Sequence, residues 1–109
     1  MASKSGDSDS FKSEVRNSLI NIKDEKEQLA RITAYLTRVT ALNTGKREEN
    51  LDPDATFASL SVGDETASEI RNLIAHELNL FLSKSMFQEK NTIRSVAGYV
   101  REALTSDST

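Results

Sequence analysis

The sequence contains no cysteine and one histidine, His76, among its 109 residues. The lack of cysteine excludes disulfides, thiolate metal ligands and cysteine nucleophiles, and one imidazole is too few for a histidine metal cluster. A clustered basic face is also missing, because 14 Lys and Arg are scattered among 17 Asp and Glu, and the net charge is −3. Binding to phosphate backbones needs such a face. The sequence therefore predicts no metal, no cofactor and no nucleic-acid partner.

Long apolar runs are absent as well. No segment approaches the length of a bilayer span, and the start, "MASKSGDSDS", lacks the apolar stretch of a secretory signal. We therefore expect a cytoplasmic protein that has no membrane partner. A hydrophobic content of 37% is enough for one modest core, which predicts one domain.

The N-terminal part of the chain changes character at Phe11. Residues 1–10 are small and polar and are predicted to be a disordered tail, like residues 105–109. Residues 11–28 form a predicted helical extension that could dock on a partner or pack on the domain. A second interpretation is a coiled-coil seam, which would make a homodimer through this helix. Two of the seven seam positions, Lys26 and Thr33, are polar. The seam consists of Val15, Leu19, Ile22, Lys26, Leu29, Thr33 and Leu36. The packing or docking helix is favoured.

The rest of the pattern predicts an all-α fold, since no run of residues alternates long enough to require a strand. A helical stripe continues to Val39, and a long loop containing Gly45 and Pro53 follows. The next helix begins at Asp64, as N-cap, or at Thr66, where Thr66-Ala67-Ser68-Glu69 reads as a capping box. The expected core positions of the last two helices are Ile70, Leu73, Ile74, Leu78, Ile93, Val96, Ala97, Val100 and Leu104.

The aromatic residues and the histidine have structural interpretations. Phe57 is expected to anchor the loop, and Phe81, Phe87 and Tyr99 are expected in the core or at its rim. His76 is predicted to be a surface residue, because the sequence offers no nucleophile or acid to work with it. With no paired catalytic residues and no phosphate-cradling glycine loop, we do not expect an enzyme.

Three segments of the chain, in order, look like parts of a known family. They are "LDPDATFASLSV", "TASEIRNLIAHELNLFL" and "NTIRSVAGYV". Together they resemble an acyl or peptidyl carrier protein of the polyketide synthase type over residues 29–104. The resemblance implies a carrier-protein-like four-helix bundle with a long loop between its first two helices, preceded here by the helical extension of residues 11–28.

The attachment motif of that family is replaced in this chain. Carrier proteins have Gly-x-Asp-Ser-Leu at the turn into the second helix, and the serine carries phosphopantetheine. Alignment without a gap puts Ser61 on the glycine, Gly63 on the aspartate, Asp64 on the serine and Glu65 on the leucine. Because a carboxylate cannot replace the serine alkoxide, we expect Asp64 to accept no phosphopantetheine.

The resemblance implies a partner-facing surface on the second helix. The matching positions here are Asp64, Glu65, Ser68, Glu69, Asn72 and Ala75. The leading hypothesis is a non-catalytic docking module that binds a basic patch on a synthase domain or tailoring enzyme in polyketide, fatty-acid or nonribosomal peptide assembly. One alternative is a working carrier that uses Ser59, Ser61 or Ser68. The other is a helical adaptor or dimerisation module unrelated to biosynthesis.

Overall fold

The computed structural model describes residues 15–88 and 90–107, and this part of the chain is all-α, as predicted. Its helices are α1 (residues 15–20), α2 (Glu25–Thr44), α3 (Asp64–Leu78) and α4 (Ile93–Asp107), with 3-10 turns at Glu48–Asn50 and Lys84–Phe87. Within these ranges there is no strand, and Thr56 and Thr92 form an isolated antiparallel bridge. The predicted tail of residues 1–10 and residues 11–14 of the predicted extension lie outside the described residues. Residues 105–107 of the predicted C-terminal tail are helical instead, because α4 continues to Asp107.

The long helices pack around one core through the faces that the sequence predicts. Spacings of three and four residues put apolar side chains on one side of each helix, where a neighbouring helix covers them. The α2 residues Ile32, Leu36 and Val39 are buried. So are the predicted residues of the other two long helices, except that Leu73 is only partly buried: Ile70, Ile74, Leu78, Ile93, Val96, Ala97, Val100 and Leu104.

The N-terminal extension contains a break. Helix α1 ends at residue 20, residues 21–24 are not helical, and α2 begins at Glu25. The continuous coiled-coil seam through Lys26 and Thr33 is therefore wrong, because its two halves belong to different helices. The segment packs on the domain instead: Leu19 is part of the core, and the buried amide of Gln28 donates a hydrogen bond to the Leu19 carbonyl over 2.8 Å.

The long loop between α2 and α3 is held by Phe57. This side chain is buried, as predicted, and its ring meets the ring of Phe87 edge to face, with the centroids 5.8 Å apart. Its backbone N–H donates to the Asn91 carbonyl over 2.9 Å. In the first turn of α4, Arg94 Nε donates to Asp54 Oδ1 over 2.6 Å. The loop is therefore tied to the 3-10 turn and to the start of α4.

Two aromatic predictions are wrong. Phe81 and Tyr99 are both exposed rather than part of the core or its rim. Phe81 lies in an irregular stretch next to the buried Leu82, and neighbouring side chains of an extended chain point to opposite sides. Tyr99 lies away from the apolar face of α4, which passes through Val96 and Val100.

The buried Phe87 and the exposed Phe81 give a matched test of the packing. Phe87→Ala should lower the free energy of unfolding by about 3–5 kcal/mol, because it removes a fully buried ring and leaves a cavity. Phe81→Ala is the control and should change it by less than about 0.5 kcal/mol, since 79% of Phe81 is exposed. Urea unfolding followed by circular dichroism measures both. Equal effects of the two substitutions would contradict the assignment of Phe87 to the core.

Candidate functional site

The exposed side of α3 carries all six predicted partner-facing residues. Ala67, Ile70, Ile74 and Leu78 are buried on the inner side of the helix. On the outer side, Asp64, Glu65, Glu69 and Asn72 are exposed, and Ser68 and Ala75 are half-buried. We refer to these six residues as the α3 face. His76, also on α3, is exposed, as predicted.

The start of α3 differs from the predicted capping. Gly63 is the N-cap residue, Asp64 is the first residue of the helix, and no side chain caps the helix. The predicted Asp64 N-cap does not form, because the first carbonyl acceptor of the helix is that of Gly63, which accepts from the Ala67 N–H over 2.9 Å. The predicted capping box from Thr66 to Glu69 does not form either, because α3 begins before Thr66. Asp64 is thus a carboxylate in the first turn, where free backbone N–H groups favour an anion.

The Asp64 carboxylate has two partners from the 3-10 turn region. Lys84 Nζ lies 2.9 Å from Asp64 Oδ1, and Gln88 Nε2 donates to the same oxygen over 3.2 Å. The hydrogen bond from Lys84, helped by that from Gln88 and by the lysine charge, lowers the pKa of Asp64. Sequence patterns did not indicate these partners, because they are 20 and 24 residues from Asp64 and lie in a segment without periodicity.

The pairing with Lys84 changes the charge of the α3 face. It leaves Glu65 and Glu69 as the carboxylates of this face that form no ion pair among the described residues. Near the C-terminal end of the same helix, Glu77 accepts a hydrogen bond of 2.5 Å from the hydroxyl of Tyr35 on α2. Burial, and then this bond to Glu77, raise the pKa of Tyr35. That contact belongs to the packing of α2 on α3.

The loop before α3 places Ser61 in an unusual backbone conformation. Its φ is 66°, in the left-handed region that glycine adopts most readily. The surrounding turn is closed by hydrogen bonds from the backbone N–H groups of Leu60 and Val62 to the Phe57 carbonyl, at 3.1 and 3.0 Å. This conformation is thus fixed by the anchored loop and not by the Ser61 side chain.

The three serines considered as alternative attachment sites differ in their surroundings. The hydroxyl of Ser59 donates to the Thr56 carbonyl over 2.8 Å within the loop. Ser61 is exposed, and Ser68 is half-buried more than one turn into α3. None of them is at the start of the helix, where Asp64 lies.

Known proteins give no further assignment: no protein-family model, curated protein or solved structure matches this chain. Residues 15–88 and 90–107 contain no group of three or more His, Cys, Asp or Glu that could hold a metal ion. The same ranges contain no helix with the length and apolar character needed to cross a membrane.

The Lys84 contact predicts a pH effect with a definite sign. Because the folded-state pKa of Asp64 is lowered, the contact stabilises the fold above the ordinary pKa of aspartate, and this stabilisation is lost as the pH falls through the lowered pKa. Carboxyl-carbon NMR titration should show a higher Asp64 pKa in Lys84→Met than in the wild type. Lys90→Met, which removes a lysine that makes no contact with Asp64, is the control and should leave it unchanged. Equal Asp64 pKa values in all three proteins would show that the ion pair does not form in solution.

The conformation of Ser61 predicts a stabilising substitution. Ser61→Gly should raise the free energy of unfolding by about 0.5–1 kcal/mol, because relief of the left-handed penalty exceeds the entropy that glycine adds to the unfolded chain. Ser59 has no positive φ, so Ser59→Gly should instead lower it by about 0.4–1 kcal/mol. Thermal unfolding of the two variants distinguishes the positions. Destabilisation by both substitutions would show that Ser61 does not adopt this conformation.

Proposed function

We propose that this protein is a carrier-protein-like docking module that cannot carry phosphopantetheine. The observation that carries the proposal is at the start of α3: Asp64, the residue aligned with the attachment serine, is the first residue of the helix and is 74% exposed as a side chain. The attached group of a carrier would need such a position, open to a transferase. Here a carboxylate occupies it.

The replacement removes the carrier chemistry for a specific reason. Attachment of the arm requires an alkoxide that attacks the pyrophosphate of coenzyme A and forms a phosphodiester. A carboxylate is a weak nucleophile at that phosphorus, and it would give a hydrolysable mixed anhydride. The charge of Asp64 still meets the electrostatic preference of a helix N-terminus for an anion. Asp64 therefore stands where the phosphodiester charge of a loaded carrier would be.

The conformation of Ser61 supports the same proposal. Ser61 aligns with the glycine of the family motif, and its φ of 66° is one that glycine adopts without a steric penalty. This conformation is uncommon for a serine, and it matches the glycine that carrier proteins have at the aligned position. The loop geometry thus agrees with descent from a sequence that had glycine there.

Docking would use the α3 face and would depend on fewer charges than the sequence suggests. Lys84 compensates Asp64, so Glu65 and Glu69 supply the negative charge that steers a partner. The partner we propose is a synthase domain or tailoring enzyme with a basic patch, in polyketide, fatty-acid or nonribosomal peptide assembly. Glu65 replaces the leucine of the motif and is exposed, which makes the contact at this position polar.

The test restores the motif and asks whether a transferase recognises the result. The variant is Ser61→Gly/Gly63→Asp/Asp64→Ser/Glu65→Leu. A Cβ added at Gly63 meets no atom within 4 Å, and positions 64 and 65 are exposed. Each protein is incubated with a promiscuous phosphopantetheinyl transferase and coenzyme A, and its intact mass is measured. The restored variant should gain one phosphopantetheine group. The wild type and the matched variant that retains Asp64 among the other three substitutions should gain none.

Two outcomes would contradict the proposal. A mass increase in the wild type would mean a working carrier, and loss of the label in Ser61→Ala or Ser68→Ala would identify the serine. A folded restored variant that stays unmodified, beside a modified ordinary carrier, would separate this chain from carriers and favour the unrelated adaptor.

A further inference from the structure

Helix α1 is attached to the rest of the domain through its apolar side chains and one buried polar contact. Its Leu19 is buried in the core, and Val15 and Ile20 are partly buried against it. The buried amide of Gln28, on α2, donates to the Leu19 carbonyl over 2.8 Å. We refer to the surface of the domain that α1 covers as the α1 site.

The connection between α1 and α2, residues 21–24, has few contacts of its own, and we refer to it as the hinge. Three of its four side chains are exposed, and the fourth, Ile22, is partly buried. Asp24 is the N-cap residue of α2, but no side chain caps that helix. Within the part of the chain that the structure describes, the backbone N–H groups of residues 23–27 have no hydrogen-bond acceptor. The shape of the hinge therefore depends on the packing of α1.

The hinge sequence is compatible with a continuous helix. Sharp breaks in helices are commonly caused by proline or glycine, and the hinge has neither. Straightening would give the N–H groups of residues 23–27 acceptors four residues earlier in the chain. It would also withdraw Leu19 from the α1 site of its own domain, which costs the burial of that side chain. A straight hinge is therefore favourable only where α1 fills an equivalent site.

We propose that two copies of this chain exchange α1, so that α1 of each copy fills the α1 site of the other. The contact needs no new complementary surface, because the site already fits the identical helix within one chain. The burial of Leu19 and its bond from Gln28 are both retained, now between copies. Exchange of an identical element between protomers is a low-cost route to a dimer. This dimer is not a coiled coil, since α1 packs on a domain and not along a second seam.

The ion pairs next to the hinge are compatible with the exchange. Arg101 on α4 lies 2.9 Å from Glu25, and Arg31 lies 3.4 Å from Glu27 within α2. Both pairs join residues that remain in the same domain, because the hinge ends before Glu25. The start of α2 thus stays attached to α4 while α1 moves. The conformational change is confined to the hinge.

The first experiment changes the hinge and measures the dimer Kd of the full chain. Sedimentation equilibrium of wild type refolded at about 1 mM should show a dimer. Asn21→Ala/Asp24→Ala should lower the Kd at least about tenfold, because alanine favours a helical hinge. Lys23→Gly/Asp24→Gly should raise it at least about tenfold, because glycine opposes a helix. Lys46→Gly/Glu48→Gly, at exposed positions of the loop, is the control and should leave the Kd unchanged.

The second experiment asks whether α1 is exchanged in that dimer. Equal amounts of isotope-labelled and unlabelled protein are refolded together, and an isotope-filtered nuclear Overhauser spectrum records contacts between copies. Exchange predicts a contact between Leu19 of one copy and Gln28 of the other.

Three results would overturn the proposal. The first is a wild type that stays monomeric at about 1 mM. The second is a dimer in which every contact between Leu19 and Gln28 lies within one copy. The third is an equal Kd for the alanine and glycine variants of the hinge. The inference does not depend on the proposed carrier-like function.

Discussion

The edge-to-face contact between Phe57 and Phe87 is the constraint on which the rest of the site depends. The loop between α2 and α3 has almost no secondary structure, so its order must come from tertiary contacts. The Phe57 ring is held by Phe87, its N–H by Asn91, and its carbonyl accepts from Leu60 and Val62. One residue thereby links the loop, the 3-10 turn and the turn that leads into α3. The position of Asp64 at the start of the helix follows from that linkage.

The ion pair of Asp64 reinforces this arrangement from the opposite side. Phe87 is the last residue of the 3-10 turn that begins with Lys84, so the ring contact that fixes the loop also carries Lys84 to the N-terminus of α3. An exposed ion pair alone contributes little to stability, because water screens it and two long side chains lose freedom. Its effect here is local: it orients the carboxylate and compensates its charge. The acidity of the α3 face is thus set by Glu65 and Glu69.

The long helices could be predicted because each has an amphipathic period. All predicted core residues of α3 and α4 are buried except Leu73, which is partly buried. The features that the sequence did not predict depend on tertiary contacts. The alternating spacing of three and four residues between apolar positions continues through residues 21–24. Periodicity alone therefore could not reveal the break in the helix there. The aromatic character of Phe81 predicts an inner position, whereas the structure has Leu82 buried and Phe81 exposed after the left-handed turn at Asn79. Lys84 and Gln88 reach Asp64 across the fold, and no local pattern encodes that.

Under the proposed function, the four positions that differ from the carrier motif meet separate physical requirements, so that the chemistry could be lost while the fold is kept. Ser61 accepts a backbone penalty that the anchored loop imposes. Gly63 has an ordinary extended conformation and open space around it, so its identity matters little to the turn. Asp64 is an anion that Lys84 and the helix terminus both favour. Glu65 changes only an exposed position. The residues that build the turn, Phe57, Leu60 and Val62, are buried, and under the proposal they are the ones that align with the carrier pattern. Under the proposed function, selection would thus act on the shape and charge of the α3 face, because these are the properties that the remaining residues still maintain.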